Sequence, residues 1–300
     1  MPKQPWGIRI ALYTVIILVS FLALFKLNIF SSEATFIFNF KDKSLSTIFN
    51  STPKTKGTYS FYVESLLSGE KYGYQENTPM PAASLYKLYL LAAVFKETED
   101  GRLKTEDKLS APKDYLIKRF GSVDFGYENA PGTISYSVEE ALVRVGRISD
   151  NFAAIMLTDK VGVDKIAQMA AALGAKNTRF DQDSITTSAF DIAEYFKALY
   201  RREIISPEVS DKIIKLLQTS VIKDRIPAQL PGNVRVIHKT GELARIRHDA
   251  GLVYLNSSEV DEGAYVIVMM SKDLQREDEG VETLAQLSKR FYDYFSSRLD

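Results

Sequence analysis

The chain has 300 residues carrying 38 basic and 38 acidic side chains, a formal charge of zero. That balance leaves no electrostatic footprint for nucleic acid, and no basic cluster with interleaved aromatics occurs. Cysteine is absent and histidine is confined to His238 and His248, so disulfides, thiolate catalysis and cysteine metal sites are excluded. No metal or cofactor is expected.

Taken in chain order, residues 10–25 come first, an apolar run interrupted only by Thr14 and Ser20. Lys3 and Arg9 precede it and Lys26 follows. A snorkelling Lys26 extends the usable span to Phe30, close to the roughly 20 residues a bilayer needs. The leading basic residues would hold the N-terminus in the cytoplasm and export the rest. Residues 1–30 therefore read as a cytoplasmic tip and single-pass anchor in the cell membrane. A cleaved signal peptide is the alternative, for which Ser31-Ser32-Glu33-Ala34 is a poor cleavage site. Residues 31–56, rich in Ser, Thr, Lys and Asn, read as a tether.

A folded domain is expected over residues 57–300. Tyr59, Phe61 and Val63, followed by Tyr72 and Tyr74, alternate as a hairpin around Ser68-Gly69-Glu70-Lys71. Helical periodicity dominates from Ala83 to about Gln218. Strand-like runs follow at residues 233–239, 251–255 and 264–270, then an amphipathic helix over 281–299. Strands at both ends of a helical block predict an α+β fold: an antiparallel sheet flanked by helices plus an all-helical lobe.

Ser-x-x-Lys occurs five times, beginning at Ser51, Ser68, Ser84, Ser110 and Ser220, so one copy alone means little. Pro53, Gly69 and Pro112 break three of the copies, and Ser220 follows a helical pattern instead of opening one. Only Ser84 opens a long apolar run, through Leu85, Leu88, Leu90, Leu91 and Val94. On the first turn of a helix Ser84 and Lys87 share a face, so an amine can reach the hydroxyl. The helix dipole favours negative charge there.

Ser149-Asp150-Asn151 falls between two helical segments, the first opened by the capping-box pattern Ser137-Val138-Glu139-Glu140. Lys239-Thr240-Gly241 closes the alternating run Val234, Val236, His238, and Gly241 suits a close approach to the backbone. Singly, these motifs are equally well a helix cap and a solvated strand-end lysine. In this order they supply a nucleophile, two lysines, a second hydroxyl and a strand edge for a peptide-like substrate. That set supports acyl transfer through a serine ester. A Ser-His-Asp triad using His238 or His248 is the alternative within the same chemistry.

With the three motifs in place, the chain resembles the class A β-lactamase and penicillin-binding family of serine acyl-enzymes. The stretch from Pro79 through Val94 resembles the family's nucleophile helix. Ser149-Asp150-Asn151-Phe152-Ala153 resembles its second motif. His238-Lys239-Thr240-Gly241, with His248-Asp249-Ala250-Gly251, resembles its third motif and the neighbouring strand. The resemblance implies Ser84 as nucleophile, Lys87 as proton acceptor, Ser149 as proton relay and Lys239 as its electrostatic partner. It assigns Asn151, Thr240 and Gly241 to substrate binding. The oxyanion hole falls to the N–H groups of Ser84 and Glu242. Arg245 and Arg247 are either a further carboxylate contact or solvated turn charges, and Tyr86 either lines the cleft or packs.

One feature departs from the pattern. The family's β-lactamases carry, on a long loop, a glutamate that activates the hydrolytic water. Here Asn177 to Ser188 is short, the corresponding place falls at Ser184, and its acids are Asp181 and Asp183. A placed base is typically worth about 10²–10⁴-fold, so slow hydrolysis of a penicilloyl ester is expected. The reading is an active-site-serine hydrolase that is acylated by β-lactams or D-alanyl-D-alanine-type cell-wall stem peptides. A module that binds penicillin or cell-wall peptide without turnover is the alternative.

Overall fold

The computed structural model describes residues 44–120, 132–181, 184–255 and 263–299. A helix α1 (Leu45–Ser51) precedes the hairpin of β1 (Thr58–Ser65) and β2 (Lys71–Tyr74). After the short strand β3 (Met80–Pro81), one 3₁₀ turn (Ala83–Tyr86) leads into α2 (Lys87–Glu99). Strands β4 (Lys108–Pro112) and β5 (Thr133–Ser137) pair around α3 (Lys113–Phe120). Helices α4 (Val138–Ile148), α5 (Asn151–Val161) and α6 (Val163–Ala172) complete one side of the lobe. A small hairpin, β6 (Arg179–Phe180) and β7 (Ile185–Thr187), precedes α7 (Ala189–Tyr200) and α8 (Pro207–Gln218). Strands β8 (Val236–Leu243), β9 (Ile246–Tyr254) and β10 (Ala264–Lys272) and helix α9 (Glu277–Ser296) close the domain.

The five-stranded antiparallel sheet runs β2-β1-β10-β9-β8. Strand β10 is apolar at nearly every position, as a strand covered on both faces must be. Its period-two alternation sorts its side chains into two cores. Ala264, Val266, Val268 and Met270 face the helical lobe. Tyr265, Ile267 and Met269 face the layer of α1 and α9. Helix α2 is buried around its whole circumference, so it forms the axis of the lobe. The α+β arrangement is the one the sequence predicts.

The differences are local. Residues 45–56, expected within the tether, include α1, whose Leu45, Ile48 and Phe49 are buried in the second core. Phe49 and Phe61 rings lie 4.9 Å apart, and Phe61 stacks on Phe291 of α9. The apolar spacing of this short helix is masked by its Ser and Thr content. Strand β8 begins and ends later than predicted, β9 begins earlier, at Ile246, β10 runs on to Lys272, and the terminal helix is shifted to Glu277–Ser296. The apolar run at residues 10–25 lies outside the described residues; among those described, no helix is long and apolar enough to cross a membrane.

A buried side chain on α1 separates a packed element from a tether. Ile48→Ala should cost about 2–5 kcal/mol through the cavity it leaves. Thermal unfolding of the full chain should then show a midpoint lowered by about 5–15 °C. An unchanged midpoint would mean that α1 does not contribute to the core.

Candidate active site

The three motifs converge on one cleft of about 630 Å³, lined by Ser84, Ser149, Asn151, Thr240 and Glu242. Each reaches it by a different local device. Ser84 lies on the 3₁₀ turn, not on the first α-helical turn, and Lys87 is the first residue of α2. The preceding Ala83 has φ +45°, a conformation disfavoured for any side chain with a Cβ. Ser149 ends α4 with φ +56°, and Asp150 then caps α5 by accepting from Ala153 N–H at 2.9 Å. Strained backbone just before Ser84 and at Ser149 fits a site over-determined by its surroundings.

Lys239 lies within β8 rather than at its end, on the edge strand of the sheet. The Cβ that any residue other than glycine would place at position 241 lies 3.2 Å from His248 Cδ2 and 3.3 Å from Ala83 Cβ. Gly241 therefore lets the strand close against the turn that carries Ser84. Gly251 has a similar duty on β9, where a Cβ would lie 2.3 Å from Ile237 O.

Lys87 and Lys239 are 1% and 2% exposed, and among the described residues neither is ion-paired to a carboxylate. Lys87 Nζ donates to Ser149 O and Asn151 Oδ1, both at 2.7 Å, and lies 3.4 Å from Ser149 Oγ. Lys239 Nζ donates to the same Ser149 Oγ at 2.7 Å and to Thr240 O at 2.9 Å. One hydroxyl thus sits between two amines. Burial, reinforced by the nearby Lys239 charge, holds Lys87 well below the ordinary lysine range. Burial likewise lowers Lys239 to about 7. An amine that is neutral near pH 7 has a lone pair and can take a proton.

Both histidines are committed elsewhere. His238 Nδ1 meets the buried carboxylate of Asp249 at 2.9 Å, and Asp249 also accepts from Ile226 N–H. His248 Nε2–H donates to Pro81 O at 2.9 Å while Nδ1 accepts from Ser271 N–H. Burial lowers His248 to about 4, so the ring is neutral. Among the described residues neither histidine hydrogen-bonds Ser84, which removes the geometric basis of the triad alternative. His248 instead ties β9 to the strand just before the Ser84 turn.

Neither Arg245 nor Arg247 is among the residues that line the cleft. Arg245 sits in the β8–β9 turn, donating to Leu274 O and Asp273 O, and Arg247 pairs with Glu277. Tyr86 lines the cleft and also packs on the core. Sequence reasoning missed Arg225, which is 1% exposed, pairs with Glu242 and donates to His248 O at 3.3 Å. No local motif marks it. Also missed was Asp191, which accepts from Asn177 N–H at 2.7 Å and Thr178 Oγ1 at 2.8 Å and so clamps the base of the β6–β7 hairpin.

That hairpin stands where the long loop was sought. Asp181 and Ser184 close it by mutual backbone hydrogen bonds, and both line the cleft. Strand β7 pairs with β3, and Ala82 N–H donates to Ile185 O at 2.8 Å, so the hairpin braces the turn that carries Ser84. Asp183 lies outside the described residues.

A sequence model of the β-lactamase enzyme family matches residues 42–295. The chain belongs to that family. It is a serine hydrolase of β-lactamase type. β-Lactamase VEB-1 of Pseudomonas aeruginosa is 22% identical over 73% of this chain and 79% of its own length. Among solved structures, PBP-A is 26% identical with a TM-score of 0.73, covering 84% of this chain and 96% of PBP-A. A β-lactamase from Sphaerobacter thermophilus is 19% identical, also with a TM-score of 0.73, over 85% and 97% of the two chains. The family match extends upstream of residue 57 to residue 42, in keeping with the packed helix α1.

The buried lysines make stability depend on pH with a definite sign. The unfolded chain holds the Lys239 proton until about pH 10.4, the folded chain only to about 7. Lys239 therefore costs stability most below pH 7, and the cost fades as pH rises toward 10. The unfolding midpoint of Lys239→Met minus that of wild type should fall as pH is raised from 7 to 10. A difference that stays flat or grows would show that Lys239 has an ordinary pKa.

Proposed function

We propose that the protein is an acyl-enzyme-forming serine hydrolase for β-lactams or D-alanyl-D-alanine-type cell-wall peptides, with slow release of the β-lactam product. The observation that carries this reading is the Ser149 hydroxyl held between two buried lysines that hydrogen-bond no carboxylate, in the cleft that Ser84 also lines. PBP-A supports it in kind: a mutant of that protein has been solved as an acyl-enzyme complex with penicillin G.

In the proposed reaction, neutral Lys87 takes the proton of Ser84 Oγ as the oxygen attacks the amide carbonyl. The two N–H groups of a neutral amine are accounted for by Ser149 O and Asn151 Oδ1, which leaves the lone pair for that proton. The oxyanion faces the N–H groups of Ser84 and Glu242, and one such donor is typically worth about 2.7–4 kcal/mol. The C–N bond then breaks. Ser149 Oγ gives its proton to the leaving nitrogen and is resupplied by the Lys87 ammonium. The ammonium form of Lys239, populated alongside the neutral one near pH 7, polarises Ser149 and, with Thr240 and the open backbone of β8 at Gly241, holds the leaving-side carboxylate and main chain.

Release is slow because the hairpin brings no glutamate to the cleft among the described residues; Asp181 is the acid it contributes. Residues 10–25 are proposed to anchor the chain in the cell membrane with this domain outside, on the strength of their hydropathy and the basic residues before them.

The test uses full-length protein and a fluorescent penicillin, followed by denaturing gel and intact mass over time. A persistent adduct should form and be absent from Ser84→Ala. Ser184→Glu, which places a carboxylate at the cleft-lining hairpin, should shorten the adduct's lifetime at least tenfold, within the usual reach of a placed base. No adduct on the wild type would overturn the reading, and rapid release from it would overturn the slow-turnover claim.

A further inference from the structure

The cleft continues past the three motifs. Helix α5 begins at Asn151, beside Lys87, and packs on α3 and α6 as it runs on through the lobe. Ile155 and Asp159 follow Asn151 at successive spacings of four, so the three share one face, and all three line the cleft. At about 1.5 Å per residue, that face extends roughly 12 Å beyond Asn151. Tyr86 and Val163 line the cleft as well and, with Ile155, make the middle of this extension apolar.

Two opposite charges mark its far end. Arg119, in the last turn of α3, and Asp159 both line the cleft and are exposed. Among the described residues neither has an ion-pair partner, and they do not pair with each other. What they share is Tyr115: its hydroxyl donates to Asp159 Oδ2 at 2.8 Å, and the Arg119 guanidinium acts on the same phenol. Burial pushes the Tyr86 phenol up to about 12, and Arg119 is the charge acting against that shift, so the guanidinium reaches the cleft wall. A cation and an anion held apart at one phenol match a group that carries both charges on one carbon, as the end of an amino acid does.

The leaving side is assigned to β8, so a group lying along α5 belongs to the acyl side of the substrate. The residue before the acyl residue stands one Cα step back from it, about 3.8 Å. A straight side chain of four carbons covers most of the remaining way to Asp159. We propose that this extension is an acyl-side subsite for stem peptides in which the residue before the acyl donor is a diamino dicarboxylic acid with its distal end unlinked. Its methylenes lie along Tyr86, Ile155 and Val163, its distal carboxylate meets Arg119 and its distal ammonium meets Asp159. A cross-linked peptide has that ammonium converted to an amide, and a diamino acid with no distal carboxylate leaves Arg119 unmatched, so both are disfavoured. The inference rests on the acyl-enzyme reading above, and its test separates the two.

The experiment acylates full-length wild type, Arg119→Gln and Asp159→Asn with four penicillins. Their straight acyl chains have one length and differ only at the end: an amino-acid zwitterion, an ammonium, a carboxylate or a methyl group. The quantity read is the second-order acylation rate. On the wild type the zwitterion should react about tenfold or more faster than the methyl-ended compound, the usual size of a hydrogen bond to a charged group. Arg119→Gln should remove the advantage given by the terminal carboxylate and Asp159→Asn that given by the ammonium, with the methyl-ended rate unchanged in both. Equal rates for all four on the wild type, a preference for the methyl end, or variants that change all four alike would overturn the inference while leaving the acyl-enzyme reading intact. No adduct from any of the four on the wild type would instead overturn that reading, and this inference with it.

Discussion

The Ser149 hydroxyl shared by two buried amines is the constraint around which the rest of the domain is arranged. Burying a lysine without a carboxylate works against its charged form and lowers stability in proportion. Here the cost is incurred twice within one hydroxyl's reach. Pairing Lys87 with an aspartate would relieve it, but would also keep the amine protonated and useless as a base. The donors to Ser149 O and Asn151 Oδ1 satisfy hydrogen bonds without supplying a counter-charge. That distinction separates a structural buried lysine from one available for proton transfer.

Holding the arrangement requires a rigid frame, and the fold supplies it from three sides. Helix α2, buried from Lys87 through Phe95, fixes Lys87 at its first residue. The α4–α5 junction turns through a left-handed Ser149 and is pinned by Asp150, which both caps α5 and pairs with Arg144 at 2.8 Å. Strand β8 approaches closely at Gly241, while His248 Nε2–H and the β3–β7 pairing hold the strand before Ala83. Asp191 extends the frame to the base of the β6–β7 hairpin through Thr178, whose hydroxyl meets that of Thr187 at 2.8 Å. Each brace carries little energy alone; together they maintain positive φ at Ala83 and Ser149.

Much of this was legible in the sequence. Period-two alternation marked the β1–β2 hairpin, and the capping box at Ser137 appears as its side chain accepting from Glu140 N–H at 3.0 Å. The α+β class followed from strands bracketing a helical block, and the order of the three motifs identified the residues that meet in the cleft. What escaped has physical causes. Helix α1 is too short and too rich in Ser and Thr to show periodicity, and its burial depends on aromatic partners far along the chain. Arg225, Asp191 and His248 act through contacts with residues distant in sequence, which no local spacing encodes. The 3₁₀ start at Ser84 and the extension of β8 through Gly241 come from tertiary pairing that overrides local preference.

The central claim, that burial with no carboxylate in hydrogen-bond reach leaves the site with amines able to accept a proton near neutrality, can be read directly. The measurement is a pH titration of lysine Cε resonances by carbon-13 NMR on the labelled full-length protein. Two resonances are predicted to titrate far below the ordinary value near 10.4, one lost in Lys87→Arg and the other in Lys239→Arg. If every lysine resonance titrates near the ordinary value, the two amines are charged at neutral pH and the account of the site is wrong.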